Sequence, residues 1–506
     1  MNKMLSLGWL RKLLHGIGPL GLLLPVVLAI APALCRAADQ GNTVLKVEHF
    51  DRDPGWEGLN NRLMPKVLPT ITQDFGYSQT NFAGKAKGEM GGRVCRCATP
   101  AYYAAKIARK TLHDKLRASG TFAINASTAT TGIFFGWFNS QQPGGSGRPI
   151  NSLGLNFDGE PKGARLAVRL IGNTNKSCGT FITPFIPGKH RPTPINNDGT
   201  RYTWTLDYDS DANDGNGRFQ FTIQSNSAKP EEFEGKMFSV DLPPGFKKEG
   251  ATFDRFGLMN MLKSGNALTI HFDDLTYDGK TEDFSKDPGW EGAGNRGTYQ
   301  NLMPAGAHDF GYSAATSFAG GAPGEVGGIF WRTDKNWSYY ADPLALLTLN
   351  DRLEVSGRVV LVVGGPDADM YLGWFHSETK DKPPTQAGHF LGVHVGGPTR
   401  VGHYFQPACT TAKGTKIHAD QGPLLVPGKA YPWTLLYDPA ANGGKGAIRV
   451  TLGEESVTLN LKQGHKKEGG QFDRFGVLST YPGGQIVKIY LDDLKYTAAA
   501  RPAPTP

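Results

Sequence analysis

The chain has 506 residues, 20% of them charged and 39% hydrophobic, with a formal net charge of +8. Half of that surplus (Lys3, Arg11, Lys12 and Arg36) sits in residues 1–37, which hold no acidic residue. What remains is a small excess with no Lys/Arg tract interleaved with aromatics, which argues against nucleic acid and is compatible with an acidic polysaccharide.

In chain order, the first element is a targeting segment. Lys3, Arg11 and Lys12 precede the apolar stretch GPLGLLLPVVLAIAPAL, which Pro19, Pro25 and Pro32 break up. Such a stretch is a poor membrane span and a good secretory signal. Residues 1–37 are expected to be cleaved near Ala37, leaving a secreted or periplasmic protein with no membrane partner.

From residue 41 the chain is written twice. DPGWEG at 53–58 returns at 287–292, DFGYS at 74–78 returns at 309–313, and GEMGG at 88–92 returns as GEVGG at 324–328. GWF at 136–138, WTLDYD at 204–209, FKKEGATFDRFGL at 246–258 and FDDLTY at 272–277 recur in the same order. This is a tandem duplication rather than a solenoid of short units. The expected domains are 41–280 and 281–497, followed by an Ala/Pro-rich tail, 498–506, expected to be disordered.

Each repeat reads as β-structure. Asp-Pro-Gly supplies a turn behind an opening strand, and Trp56 or Trp290 reads as an apolar plug. The segment 101–116 fits a helix or a strand, since its counterpart carries Pro343. In RYTWTLDYD the residues Tyr202, Trp204, Leu206 and Tyr208 alternate with polar ones, and RFQFTIQ repeats that period after a turn-rich link, as a long hairpin does. The link DSDANDGNG carries Asp214 where a calcium loop needs Gly, so it reads as a turn. Lys247-Lys248-Glu249 and Lys466-Lys467-Glu468 read as solvated turns. In the closing strands the alternation slips by one residue at Asp273-Asp274 and again at Asp492-Asp493, the signature of a β-bulge that turns one carboxylate inward. A buried carboxylate needs a cation or several N–H donors.

The candidate functional residues fall between these elements. Glu89 and Glu325 in GExGG, and His394, are the candidate catalytic groups: a general acid or base flanked by glycine, or a structural glutamate at a strand edge. Arg96, Tyr103, Arg332 and Tyr340 stand at matched positions and read as a sugar or uronate grip, or as structural ion pairs beside core tyrosines. Asn156 and His394, in LGLNFDG and LGVHVGG, point away from the core face of their strands. Trp331 and Trp337 have no tryptophan counterpart in the first repeat and are the expected sugar-stacking platform, whereas Trp137 and Trp374 read as core. Cys95, Cys97, Cys178 and Cys409 lack zinc-site spacing; a disulfide to Cys178 and free buried thiols both remain open.

Taken together, the opening Phe-x-x-Asp-x-x-Trp, the WTLxYD hairpin, the FDRFG segment and the closing Asp-Asp-Leu-x-Tyr resemble the concanavalin A-like lectin/glucanase superfamily, including laminin-G-like domains. The resemblance implies an all-β chain of two tandem antiparallel β-sandwich (jelly-roll) domains. It also implies a structural Ca2+, for which Asp273 and Asp492 are the candidate ligands. The paired-carboxylate pattern of the glucanases, Glu-x-Asp-x-Glu, is absent, as is the Gln-Ile-His signature of alginate lyases; KIH at 416–418 is the nearest stretch. The leading expectation is a secreted carbohydrate-binding protein whose partner is a polysaccharide or glycan. A polysaccharide-degrading hydrolase or lyase, and a structural or adhesive surface protein, stand as alternatives.

Overall fold

The computed structural model describes residues 43–141, 147–173, 176–188, 191–302, 304, 306–332, 337–365, 368–378, 388–399, 402–479 and 486–499. The expected signal segment and residues 500–506 of the expected tail lie outside them. Among the described residues the regular structure is almost entirely antiparallel β-strand, in a jelly-roll arrangement of facing sheets. In RYTWTLDYD the alternation predicts a half-buried strand, and Arg201–Asp209 buries Tyr202, Trp204, Leu206 and Tyr208 while Thr203 and Asp209 stay exposed. It pairs with Arg218–Ser225, so the two form the expected hairpin. The segment that fitted helix or strand is a strand, Tyr102–Thr111.

A seven-stranded sheet runs Ser177–Phe181, Gly163–Ile171, Ser152–Glu160, Thr131–Phe138, Thr252–Asn260, Tyr102–Thr111, Glu291–Ala293. Facing it is a nine-stranded sheet centred on Leu116–Ala126, Ala267–Tyr277 and Glu89–Cys95. Between them lies an aromatic core in which Phe135 stacks on Phe272 at 3.9 Å and meets Trp204 edge-on. The later strands form two further sheets around a second core holding Trp374, Trp433 and Phe475, and a bridge between Ala345 and Ala499 joins these sheets. Ala498 and Ala499, expected in the tail, belong to the strand Ile486–Ala499.

The two DPGWEG segments are exchanged between the cores. Phe50 and Trp56 are buried in the second core, and Glu57–Leu59 pairs with Tyr339–Ala341. Arg62–Leu63 pairs with His308–Asp309, and Thr43–Glu48 pairs with Ile486–Ala499. Phe284 belongs to the first core, with Trp290 packed against it, while Glu291–Ala293 and Arg296–Gln300 pair with strands of the first sandwich. The expected division at 280/281 is therefore not where the pairing divides the chain. Residues 280–300 close the first sandwich and residues 43–63 close the second.

The same contacts fasten both closing segments, the two clips of the chain. Tyr339 donates to Glu57 at 2.5 Å and Tyr102 to Glu291 at 2.6 Å. Tyr340 donates to Asp53 at 3.2 Å and Tyr103 to Asp287 at 3.1 Å. Arg474 and Arg255 complete each glutamate's pairing, at 2.7 and 2.8 Å. Asp53 and Asp287 each also accept the N–H of the glycine two residues on, where Gly55 (φ 68) and Gly289 (φ 65) take the left-handed turn.

The slips at the paired aspartates are bulges. Pairing loses register between Asp273 and Thr276, and on the strand opposite Asp492, between Ser356 and Arg358. Asp274 (φ 50) and Asp493 (φ 51) are left-handed, which turns Asp273 and Asp492 inward and leaves their neighbours at the surface. The Lys-Lys-Glu turns are tethered rather than merely solvated: Lys247 donates to the Ser210 carbonyl at 2.6 Å and Lys466 to that of Pro439 at 3.1 Å.

Candidate functional site

On the strands Ala368–Phe375, Phe390–Thr399 and Gly402–Thr410, alternate residues face away from the second core. Leu391, Val393 and Val395 face inward, so His394 faces outward, as its strand's alternation predicts. Register puts Tyr371 and Gln406 directly across from His394 on its two neighbouring strands. The Tyr371 ring stacks on the imidazole at 4.6 Å. His394 Nε2 lies 3.4 Å from Asp369 Oδ2, and Nδ1 lies 3.2 Å from Gln406 Nε2. Arg332 approaches the other oxygen of Asp369 at 3.3 Å. Beside them is a recess of about 170 Å³ lined by Tyr371, His394, Gln406, Thr410, Lys416 and His418 among others. That volume is room for roughly six water molecules.

Chemically the cluster is better equipped to recognise than to transfer protons. Both ring nitrogens of His394 are engaged, whereas a general base needs a nitrogen within reach of the proton it removes. Gln406 is 7% exposed and its Oε1 has no hydrogen-bond partner among the described residues. A buried carbonyl-type oxygen without a donor is costly, so this acceptor is suited to a ligand hydroxyl or amide. His403 is buried nearby, where burial pushes its imidazole down to about 4 and keeps it neutral.

The corresponding face of the first sandwich is built differently. Asn156 takes the place of His394, is 1% exposed, and neither of its amide atoms has a partner among the described residues. Arg96 is buried and pairs with Asp158 at 2.6 Å. Burial pushes the Asp158 carboxyl up, but Lys263, Arg96, Arg148 and Arg165 together outweigh it and hold it well below the usual range. Arg96 and Arg332 occupy matched positions, yet their carboxylates come from opposite strands of a cross-strand pair. Asp158 faces Gly132 in one sandwich and Asp369 faces Gly396 in the other.

The remaining candidates fall elsewhere. Glu89 and Glu325 are fully buried, and both oxygens of each accept backbone N–H groups, from Phe82 and Ala83 and from Phe318 and Ala319 at 2.7–3.0 Å. They hold the preceding loop, and neither offers a free oxygen edge to a substrate. Nor does Glu89 pair with Arg96, whose partner is Asp158. Tyr103 and Tyr340 are buried against the clips rather than presented to a ligand. Trp331 and Trp337 are 3% and 9% exposed, so neither forms a stacking platform. Trp337 packs with Tyr339, Tyr371 and Phe390, which fill the space an open platform would need. Among the described residues Cys95, Cys97, Cys178 and Cys409 are all buried, Cys95, Cys97 and Cys409 are free thiols, and burial pushes the Cys409 thiol up to about 12.

The calcium expectation meets a donor set that does not fit it. Asp273 and Asp492 each accept the N–H of the next residue at 2.7 Å, and both oxygens of Glu89 and Glu325 are occupied by N–H donors. Among the described residues no group of three or more His, Cys, Asp or Glu side chains could hold a metal ion, while calcium takes six to eight oxygens. Backbone N–H groups serve both oxygens of Glu89 and Glu325 but only one oxygen each of Asp273 and Asp492.

Sequence reasoning missed Asp369, Tyr371 and Gln406. Their signal lies in the hairpin register that aligns GHYFQPACT with LGVHVGG, because alternation then places Gln406 on the face of His394.

No family model matches the chain, and no curated protein matches it. Among solved structures, the mouse laminin alpha1 chain, domains LG4-5, is similar at 10% identity over 87% of this chain and 100% of that one, with a TM-score of 0.24. Peanut lectin is similar at 14% identity over 46% of this chain and 98% of that one, with a TM-score of 0.21. A GH43 protein from Bacillus licheniformis is similar at 7% identity over 86% of this chain and 99% of that one, with a TM-score of 0.21.

Proposed function

We propose that this is an exported carbohydrate-binding protein and that the outer face of the second sandwich holds its glycan site. The observation that carries the reading is Gln406 Oε1, without a hydrogen-bond partner among the described residues, set beside His394 and Tyr371 at a recess of mixed polar and apolar lining. Such a group accepts a hydroxyl, the ring stack supplies an apolar face, and Lys416 brings a positive charge suited to an acidic sugar. Release of residues 1–37 before the protein reaches its ligand belongs to the same reading, and N-terminal sequencing of the exported form tests it.

The experiment is affinity electrophoresis of the protein through gels containing a panel of neutral and acidic polysaccharides. Retardation by at least one polysaccharide is expected, and it is lost in Gln406→Ala and His394→Ala variants that keep their circular dichroism spectra. Free migration through every gel would sink the reading. A polysaccharide-cleaving enzyme is favoured by one observation, the 3.4 Å contact between Asp369 and His394 with Arg332 beside it. Unsaturated products or new reducing ends in the same incubations would replace binding by catalysis.

A further inference from the structure

The clips obey one rule. Residues 280–300 follow the first sandwich's last long strand, Ala267–Tyr277, and close that sandwich. Residues 43–63 close the sandwich that ends in Ile486–Ala499, at the far end of the chain. Each clip therefore closes a sandwich whose final strand comes before it, if the chain is read as continuing from its last strand into the first clip of a chain. That continuation is met equally by the same molecule or by the next one.

The chemistry of docking is also the same in both places. Each groove offers two tyrosines, an arginine and a main-chain carbonyl. Each clip answers with aspartate, tryptophan, glutamate and asparagine, down to Asn61 donating to Phe310 O at 2.6 Å and Asn295 donating to Phe75 O at 2.5 Å. The first clip's leading strand is held along its backbone and by Lys46, which meets Asp342 at 2.5 Å, while Val44, Leu45 and Val47 remain 46%, 43% and 50% exposed. That leading strand opens at lower cost than the rest of the clip, where Phe50 and Trp56 are buried, so release of the whole clip is favoured by warming. A heterologous contact of this kind closes into a ring or runs on as a chain of copies.

We propose that the clip groove of the second sandwich, lined by Tyr339, Tyr340 and Arg474, accepts residues 43–63 of a second copy of this chain, linking copies head to tail. The linkage completes the second sandwich of one molecule with Trp56 and Glu57 of the next. Because the clip is tethered to its own molecule, closure within one copy dominates in dilute solution, and linkage rises with concentration.

The test uses two preparations of the full chain carrying different tags at the C-terminus, mixed at high concentration, warmed, captured through one tag and probed for the other. Mixed species are expected. They are lost when the clip is locked by a disulfide in the Val44→Cys, Ala498→Cys variant, whose two positions are Cα partners, and they return on reduction. A synthetic peptide of residues 43–66 added to the unmodified mixture suppresses them as well, a measurement that does not depend on the variant folding. Absence of mixed species at every concentration, or mixed species indifferent to the peptide, would overturn the proposal.

Discussion

Asp273 and Asp492 carry carboxyls that burial pushes up to about 7 and about 6. The N–H of Asp274 or Asp493 pulls the other way, and the neighbouring charges of Asp274 and Glu89, or Asp493 and Glu325, push upward again. A carboxyl with a raised native pKa is protonated in the folded chain while it is already ionised in the unfolded one. Folding then takes up a proton, and stability falls as pH rises from about 4, the unfolded pKa, to about 7. Asp273→Asn is expected to flatten that fall and raise the melting temperature at pH 8, and Asp492→Asn to do so over pH 4–6. Calorimetry across pH 4–8 decides, and an unchanged slope refutes the account. Gly84 and Gly320, each next after the Phe-Ala pair whose N–H groups bind the buried glutamate, belong to the same site. A Cβ on Gly84 would stand 1.5 Å from Asp273 Oδ2, and one on Gly320 would stand 1.6 Å from Asp492 Oδ2. Gly84→Ala and Gly320→Ala should each destabilise by about 1–3 kcal/mol, measured by denaturant titration.

Strands were the most legible elements because alternation is a local property. Tyr202 to Tyr208 read as one buried face, and the Asp-Asp slip read as a bulge, since both depend only on neighbouring residues. Destination was not legible. The two DPGWEG clips share their chemistry, so nothing within either says which sandwich it enters; loop closure and distant pairing, of Glu57 with Ala341 and of Glu291 with Ala104, decide that. The ion pairs of Arg96 and Arg332 were hidden for a related reason. Their carboxylates come from different strands in the two repeats, so matching motifs could not align Asp158 with Asp369. The exchange has a direct consequence at this scale. Trp56→Ala removes a ring 7% exposed in the second core, at a cost of about 3–5 kcal/mol. Hydrogen exchange should accelerate across 308–499 while 70–280 keeps its protection, and Trp290→Ala should do the reverse. Loss of protection around residue 56's own sequence neighbours alone would contradict the pairing.

Across the whole molecule the first clip ties the early strand Thr43–Glu48 to the late strand Ile486–Ala499, while the second clip ties residues 280–300 back to the first sandwich. The first clip leaves the second sandwich at Leu63 and the chain enters the first sandwich at Thr70, crossing by a short link in which Val67 is 80% exposed. The link carries connectivity but little burial, whereas the clip on its upstream side is held by Trp56, by hydrogen bonds from Tyr339, Tyr340 and Arg474, and by strand pairing. Cutting the link should therefore not release the clip. With a protease recognition site inserted after Lys66, the severed N-terminal fragment is expected to co-elute with the remainder on size exclusion, and the melting temperature is expected to fall modestly through loss of the tether. In the Trp56→Ala background the same cut should free the fragment, because about 3–5 kcal/mol of lost burial weakens docking by roughly a hundredfold or more. A fragment that leaves the unmodified protein as soon as it is cut would show that the link, and not the groove, keeps the second sandwich closed.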